Sequence, residues 1–314
     1  MSEGVSPLDP EQLEASGAPA RAELAASTTV GAVHLTVSDL ARSIEYYDRA
    51  VGLELLARTE DSASLGCRGR ELVGLVQERG AVPAGPHTGL YHFALLLPSR
   101  IELARWLAHA AQDRVALVGL SDHFVSEAVY LSDPDGHGIE IYCDRPRERW
   151  EGQVAQQMTT LPLDVDDLLG ELSDPRTEPF DGLPFDTVMG HVHLKVARIP
   201  ETIRFYRDVL GFALMAELGS YAAFLSAGGY HHHIGANTWE SAGASPPPPG
   251  SAALRHATIL LPDQSERDRV LRRLQASGQT PDDDAAGLVI RDPSGNRLVL
   301  AVAASPAEPP SGCS

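Results

Sequence analysis

The chain is poor in cysteine. Cys67, Cys143 and Cys313 stand far apart and in no C-x-x-C spacing. That excludes a disulfide framework and a zinc–thiolate site, and it fits a reducing cytoplasm. Positive charge is short as well: 25 Lys and Arg face 43 Asp and Glu, a formal net charge of -18. A nucleic-acid surface needs a basic stripe, so that class of partner is excluded. No stretch approaches the ~18 apolar residues of a membrane span. Residues 1–27 are rich in Ala and Glu and have neither a basic start nor an apolar core, so no signal peptide is read there.

What is present is histidine, 12 residues of it, and repetition. Residues 32–52 read AVHLTVSDLARSIEYYDRAVG and residues 191–211 read HVHLKVARIPETIRFYRDVLG. A constant offset pairs His34 with His193, Ile44 with Ile203, Tyr47 with Tyr206 and Gly52 with Gly211. Further on, YHFALLLP (91–98) answers RHATILLP (255–262), so His92 pairs with His256. SDPDGHGIEIY (132–142) answers RDPSGNRLVLA (291–301), and there Glu140 faces Val299. The repeat marks two homologous halves, each large enough to bury its own core. The expected layout is a flexible leader (1–27), an N-terminal domain (28–145), a linker with a short helix near Asp164–Leu172 (146–187), a C-terminal domain (188–304) and a tail (305–314). The Ala244–Gly250 run, ASPPPPG, fits neither strand nor helix and is a surface loop.

Each half is itself doubled. Val30–Val37 alternates like a strand. Asp39 is placed to cap a helix with apolar positions at Leu40, Ile44, Tyr47 and Val51, and Gly52 to close it. Three short strands follow, near 53–59, 62–68 and 71–77. Strand, helix and strands then recur: Leu90–Leu97, Arg100–Ala111, Ala116–Leu120, Ala128–Leu131 and Gly138–Tyr142, the last preceded by DPDG turn chemistry. The chain thus holds four βαβββ modules.

This layout, with those motifs, resembles the vicinal oxygen chelate superfamily of glyoxalases, bleomycin and fosfomycin resistance proteins and extradiol dioxygenases. The resemblance covers about 28–304. It implies an α+β fold in which the four modules pair into two curved open-barrel domains, with a metal held inside a cup by residues of first and last strands. A narrower resemblance, to two-domain catechol 2,3-dioxygenase-like proteins, rests on the run His123, Val129-Tyr130, Asp133-Pro134-Asp135-Gly136, Glu140. Ser121 departs from that pattern, which usually has Gly, Asn, Thr, Ile or Val two residues before the histidine.

By position, the resemblance implies a facial triad of His34, His92 and Glu140 holding Fe(II), with Mn(II) or another divalent metal as the alternative. Two imidazoles and one carboxylate leave open positions for a diol and O₂. Strand parity puts His34 with Ala32 and Thr36, opposite Val33, Leu35 and Val37, on the cup-facing side. Glu140 lies between Ile139 and Ile141, and a carboxylate on a buried strand needs a partner. His123 is implied as acid and base, work that suits an imidazole, and Tyr130 as a hydrogen-bonding partner of the diol oxygen. His137, His87 and His109 read as surface residues. In the second half, Val299 removes the carboxylate, yet GGYHHHIGANTW (228–239) adds histidines, with His231 and His233 sharing one strand face. Either His193, His256 and His233 form a second metal site, or that half is a degenerate copy kept for packing.

The leading expectation is a cytoplasmic extradiol dioxygenase acting on a small aromatic diol with O₂, with homo-oligomerisation left open. Two rivals stand. A glyoxalase-like isomerase or lyase would commonly take a fourth ligand from the last strand of module one, where 71–77 offers only Glu71 and Gln77 near its ends. A metal-free aromatic-ligand binding protein would make His34, His92 and Glu140 dispensable.

Overall fold

The computed structural model describes residues 23–303, with the exception of 175 and 177. The tail 305–314, residues 1–22 of the expected leader and Cys313 lie outside the described residues. The rest of that leader is packed: Leu24 is buried, and the N–H groups of Glu23 and Leu24 both donate to the Gly211 carbonyl.

Four βαβββ modules are present, as the periodicity demands. Module one comprises β1 (Thr29–Val37), α1 (Leu40–Tyr46), β2 (Glu54–Arg58), β3 (Ser62–Cys67) and β4 (Arg70–Gln77). Module two comprises β5 (Gly89–Leu96), α2 (Arg100–Gln112), β6 (Leu117–Asp122), β7 (Ser126–Ser132) and β8 (Gly138–Asp144). The linker carries α3 (Val154–Gln157) and α4 (Val165–Gly170). Module three comprises β9 (Val188–Lys195), α5 (Ile199–Ile203), β10 (Ala213–Leu218), β11 (Ala222–Ser226) and β12 (Ile234–Asn237). Module four comprises β13 (Leu254–Leu261), α6 (Gln264–Ala276), β14 (Asp282–Asp284), β15 (Gly287–Arg291) and β16 (Arg297–Val302).

The repeated residues have a shared physical reason. The Asp39 side chain caps α1 by accepting from Arg42 N–H. The helix then widens into a π-helical turn, Tyr47–Val51, and module three repeats the device at Arg204–Leu210. Each widened turn buries a tyrosine whose hydroxyl donates to the aspartate of a distant turn: Tyr47 to Asp133 at 3.0 Å and Tyr206 to Asp292 at 3.2 Å. The other carboxylate oxygen of each aspartate accepts two backbone N–H groups of its own turn. The repeated Asp-Pro-x-Gly turns are thus ordered by a buried acceptor rather than by turn propensity alone. The same turn corrects the reading of His137. It is buried, and its Nε2–H donates to the Thr36 carbonyl at 2.9 Å.

The modules pair across the halves. One eight-stranded sheet runs β14-β15-β16-β13-β1-β4-β3-β2, joining modules four and one. The other runs β6-β7-β8-β5-β9-β12-β11-β10, joining modules two and three, and Leu161–Pro162 of the linker adds a ninth strand on β6. The expectation that each half pairs its own two modules is therefore replaced by an exchanged arrangement. A strand edge offers only backbone N–H and C=O groups, so the sequence pattern of β1 or β9 does not encode which first strand will cover it. Both sheets bury their other faces in one core that includes Val33, Leu35, Phe93, Val192, Leu194 and Ile259.

Candidate functional site

The nine-stranded sheet builds the site by parity. Phe93 and Leu95 of β5, Ile139 and Ile141 of β8, and Val192 and Leu194 of β9 enter the core. Alternation then sends His92, Glu140, His191 and His193 to the opposite face. In the parallel β5–β8 ladder Ala94 lies opposite Glu140, and in the antiparallel β5–β9 ladder His191 lies opposite Ala94. A small residue at position 94 therefore has the carboxylate and the imidazole on either side of it.

That register depends on a bulge at Gly190, between Met189 and His191. The glycine is also required sterically, because a Cβ there would collide with the Tyr142 hydroxyl. Gly190→Ala is expected to push Tyr142 away from its 2.8 Å hydrogen bond with Tyr230. The cost is about 1–3 kcal/mol, as for other overpacked interiors. A thermal melt checks this; an unchanged midpoint would mean that the tyrosine yields freely.

His92, Glu140 and His191 bring one ligand atom each to within 4.8 Å of one another, and all three are buried. His191 Nε2–H donates to Glu140 Oε2 at 3.0 Å. His92 Nε2 is also 3.0 Å from that oxygen, yet it makes no hydrogen bond and is buried without a partner. An orphaned imidazole nitrogen beside a buried carboxylate costs free energy unless something else binds both. A divalent cation is such a group, and the donor set fits one. Burial by itself would raise the Glu140 carboxyl, but the His191 and His92 imidazoles facing it hold it well below its ordinary range. Burial pushes His191 down to about 4, so the imidazole is neutral, the form that ligates metal.

His34 does not join this cluster. It lies in the other sheet, where β1 pairs it with His256. The two rings stack at 4.3 Å, and His34 Nε2 is 3.8 Å from Glu71. The structure thus does not bring His34 to His92 and Glu140; the histidine that lies beside them is His191, two residues before the repeat partner of His34. The reason is the exchanged sheet pairing. The signal available was H-x-H at 191 and 193, which puts both histidines of a first strand on one face.

The second grouping, His193, His233 and His256, is not assembled either. His256 is in the eight-stranded sheet with His34, while His193 lies beside His92 at a ring separation of 4.9 Å. His233 Nδ1 accepts from Ala227 N–H at 3.1 Å. The histidine run is not a strand. Gly228 and Gly229, both at positive φ, turn the chain just before it, and β12 begins only at Ile234. Its three side chains therefore do not follow strand parity, and His231 and His232 turn their rings toward each other, Nδ1 to Nδ1 at 2.8 Å.

His123 and Tyr130 are brought together beside the cluster. His123 Nδ1 lies 2.9 Å from the Thr159 carbonyl, which can only accept. In the neutral ring that nitrogen carries the hydrogen, so Nε2 accepts from the Tyr130 hydroxyl at 2.7 Å. Burial, and then the nearby Glu140 charge, raise the Tyr130 phenol well above its usual range, so it stays protonated. Tyr130 is cross-strand to Glu140. These residues open on a cavity of about 550 Å³, which His92, Glu140, His191, His193 and His232 also line. The linker contributes Met158, Thr159 and Thr160 to the wall. Phe224 and Trp239 also line the cavity as aromatic side chains.

A family model described as the Glyoxalase/Bleomycin resistance protein/Dioxygenase superfamily matches residues 29–141 and again 188–300. A catechol-2,3-dioxygenase of Bacillus subtilis (strain 168) is 41% identical over 274 residues, covering 85% of this chain and 94% of that protein. Among solved structures, a Bacillus subtilis subsp. subtilis str. 168 protein provisionally assigned as a dioxygenase superposes with a TM-score of 0.58 at 16% identity. It covers 87% of this chain and 85% of its own. Glyoxalase I from Zea mays superposes with a TM-score of 0.53 at 17% identity, covering 87% and 92%. At such identities the two structures speak to the fold alone.

Proposed function

Since the chain belongs to the Glyoxalase/Bleomycin resistance protein/Dioxygenase superfamily, we propose that it is a ring-cleavage dioxygenase of extradiol type, with His92, His191 and Glu140 holding its metal. The observation that carries this reading is the buried His92, Glu140 and His191 cluster with its unpartnered His92 nitrogen. The substrate is a catechol-type aromatic diol, as the name of the 41% identical relative supports, and O₂ is the second substrate. Fe(II) is the metal we assign, because two neutral imidazoles and one carboxylate suit it and leave open positions. Mn(II) would meet the same donor set. A divalent metal bound there would supply the Lewis-acid and electron-transfer chemistry that the side chains lack.

The side chains do the rest. Glu140 offsets part of the metal's charge. Tyr130, kept protonated, gives its one hydrogen to His123 Nε2, so its oxygen is free to accept from a diol O–H, and His123, anchored on Thr159, fixes the direction of that hydroxyl. The linker wall excludes water from the ring. Phe224 and Trp239 offer apolar faces to an aromatic substrate. The glyoxalase-like reading would want a fourth ligand, and among the described residues the cluster has three members. Cys67 and Cys143 are buried free thiols, which supports a cytoplasmic setting.

The test is metal content of protein purified without oxygen, read beside O₂ uptake with catechol. About one iron per chain is expected, falling to background in Glu140→Ala together with uptake. Full uptake by Glu140→Ala would refute the assignment.

A further inference from the structure

One charged group of the cavity takes no part in the reading above. The chain has a single lysine, Lys195. Alternation along β9 puts it on the face of His191 and His193, and all three line the cavity. Among the described residues that line the cavity, it is the one Lys or Arg. Four residues at about 3.3 Å each set its Cα roughly 13 Å from that of His191. His193, midway between them on the strand, has the rings of Tyr91 and Trp239 beside it, at 5.3 and 5.7 Å between centroids. Both of those residues line the cavity as well.

The ammonium is largely withdrawn from water, yet loosely held. The Lys195 side chain is 11% exposed. Its Nζ donates to the Gly85 carbonyl at 3.0 Å, which uses one of three hydrogens. The carboxylate facing it, Glu240 Oε2, stands 3.7 Å away, beyond hydrogen-bonding reach, on a side chain that is 59% exposed. The cross-strand partner of Lys195 is Gly89, where an added Cβ would meet no atom within 4 Å beyond its chain neighbours. Space for a ligand group therefore adjoins the lysine.

A neutral aromatic diol needs no cation. Holding an ammonium out of water against a distant, solvent-exposed partner costs free energy, and an anion brought to it offsets that cost. The net charge of -18 repels anions at long range, so their entry depends on a local cation. From this placement, and resting on the dioxygenase reading for the diol end, we propose that Lys195 binds a carboxylate borne by the substrate, on a short arm remote from the two hydroxyls. The diol meets the His92, Glu140 and His191 cluster. The ring lies along Tyr91, His193 and Trp239, and the carboxylate accepts the remaining ammonium hydrogens in charge-assisted hydrogen bonds. Glu240 gives way by swinging into the solvent that it already meets. Lys195 and Glu240 thus set specificity in opposite senses: one attracts the arm, and the other competes for the same ammonium.

The experiment compares dihydroxyphenylpropionate with its amide, which lacks the charge. In the wild type, kcat/KM from O₂ uptake is expected to favour the carboxylate by roughly 10- to 100-fold, the worth of a hydrogen bond between charged groups. Lys195→Met should abolish that preference, Lys195→Arg should keep most of it, and Glu240→Gln, an exposed change, should raise it severalfold. Calorimetry with phenylpropionate and phenylpropionamide, which carry no diol, reads the same preference as affinity and without turnover. A wild type with no preference by either measure, or a preference retained in Lys195→Met, would overturn the proposal. Should Lys195→Met not fold, Glu240→Gln decides, and an unchanged ratio there counts against the site. A preference for phenylpropionate that Lys195→Met abolishes, in protein that consumes no O₂ with any diol, would remove the dioxygenase reading and leave the carboxylate site standing.

Discussion

His191→Ala is expected to empty the metal site, while His34→Ala leaves metal content and O₂ uptake as they were. The contrast follows from where the two strands lie. His191 presents Nε2 to the Glu140 oxygen at 3.0 Å and shares a buried cluster with His92. Without it, two of the three proposed ligands remain. Groups that merely support a metal ligand are worth roughly 10–100-fold in affinity, so loss of a ligand itself should exceed about a hundredfold. His34 stacks on His256 in the other sheet and is partly open to solvent. Its removal deletes a half-exposed ring contact, and the change in stability should stay within about 1 kcal/mol. Iron analysis of the two proteins, prepared side by side without oxygen, decides the matter. Metal loss in His34→Ala with retention in His191→Ala would reverse the assignment.

The largest effect on stability is expected at Arg100, which does not line the cavity. Glu127 is 2% exposed and carries two charge-assisted hydrogen bonds from Arg100, at 2.7 and 3.1 Å, with Arg145 at 3.3 Å. The same guanidinium holds Asp167 and Glu171 of the linker at 2.7 and 2.8 Å. Arg100→Ala leaves a buried carboxylate with one of its two cations and frees the linker segment around α4. Breaking a buried pair from one side costs roughly 3–5 kcal/mol, and the surviving Arg145 puts the expected loss near the lower end. Adding Glu127→Gln should recover part of that loss, because the orphaned charge is then gone. Denaturant titration of the single and double variants measures both. A double variant no more stable than Arg100→Ala would show that packing, not the charge, sets the cost.

The local elements were legible from the chain alone. Alternation at Val33, Leu35 and Val37 reports a strand with one buried face. Asp39 and Gly52 bracket a helix, and the paired Tyr47 and Tyr206 match the paired Asp133 and Asp292 that accept their hydroxyls. These features are encoded in residues near in sequence or repeated at fixed spacing, so a linear reading finds them. The run from His123 through Tyr130 to Glu140 was also legible, since β6, β7 and β8 are consecutive antiparallel neighbours and their register follows from short connections.

Only the tertiary structure decided which histidine completes the cluster. His34 and His193 are equivalent by repeat, and nothing in either strand states which edge will meet β5. That edge is covered by β9, so modules two and three share a sheet and His191 arrives from the second half. The same holds for His231, His232 and Asp144, which meet because the Gly228–Gly229 turn and the β8 terminus converge across that interface. The sequence by itself determined the modules and the turns, and it singled out His92 and Glu140, which the fold brings together. The pairing of modules, and with it the histidine that joins His92 and Glu140, rests on backbone edges that carry no side-chain code and so becomes visible only when the chain is folded.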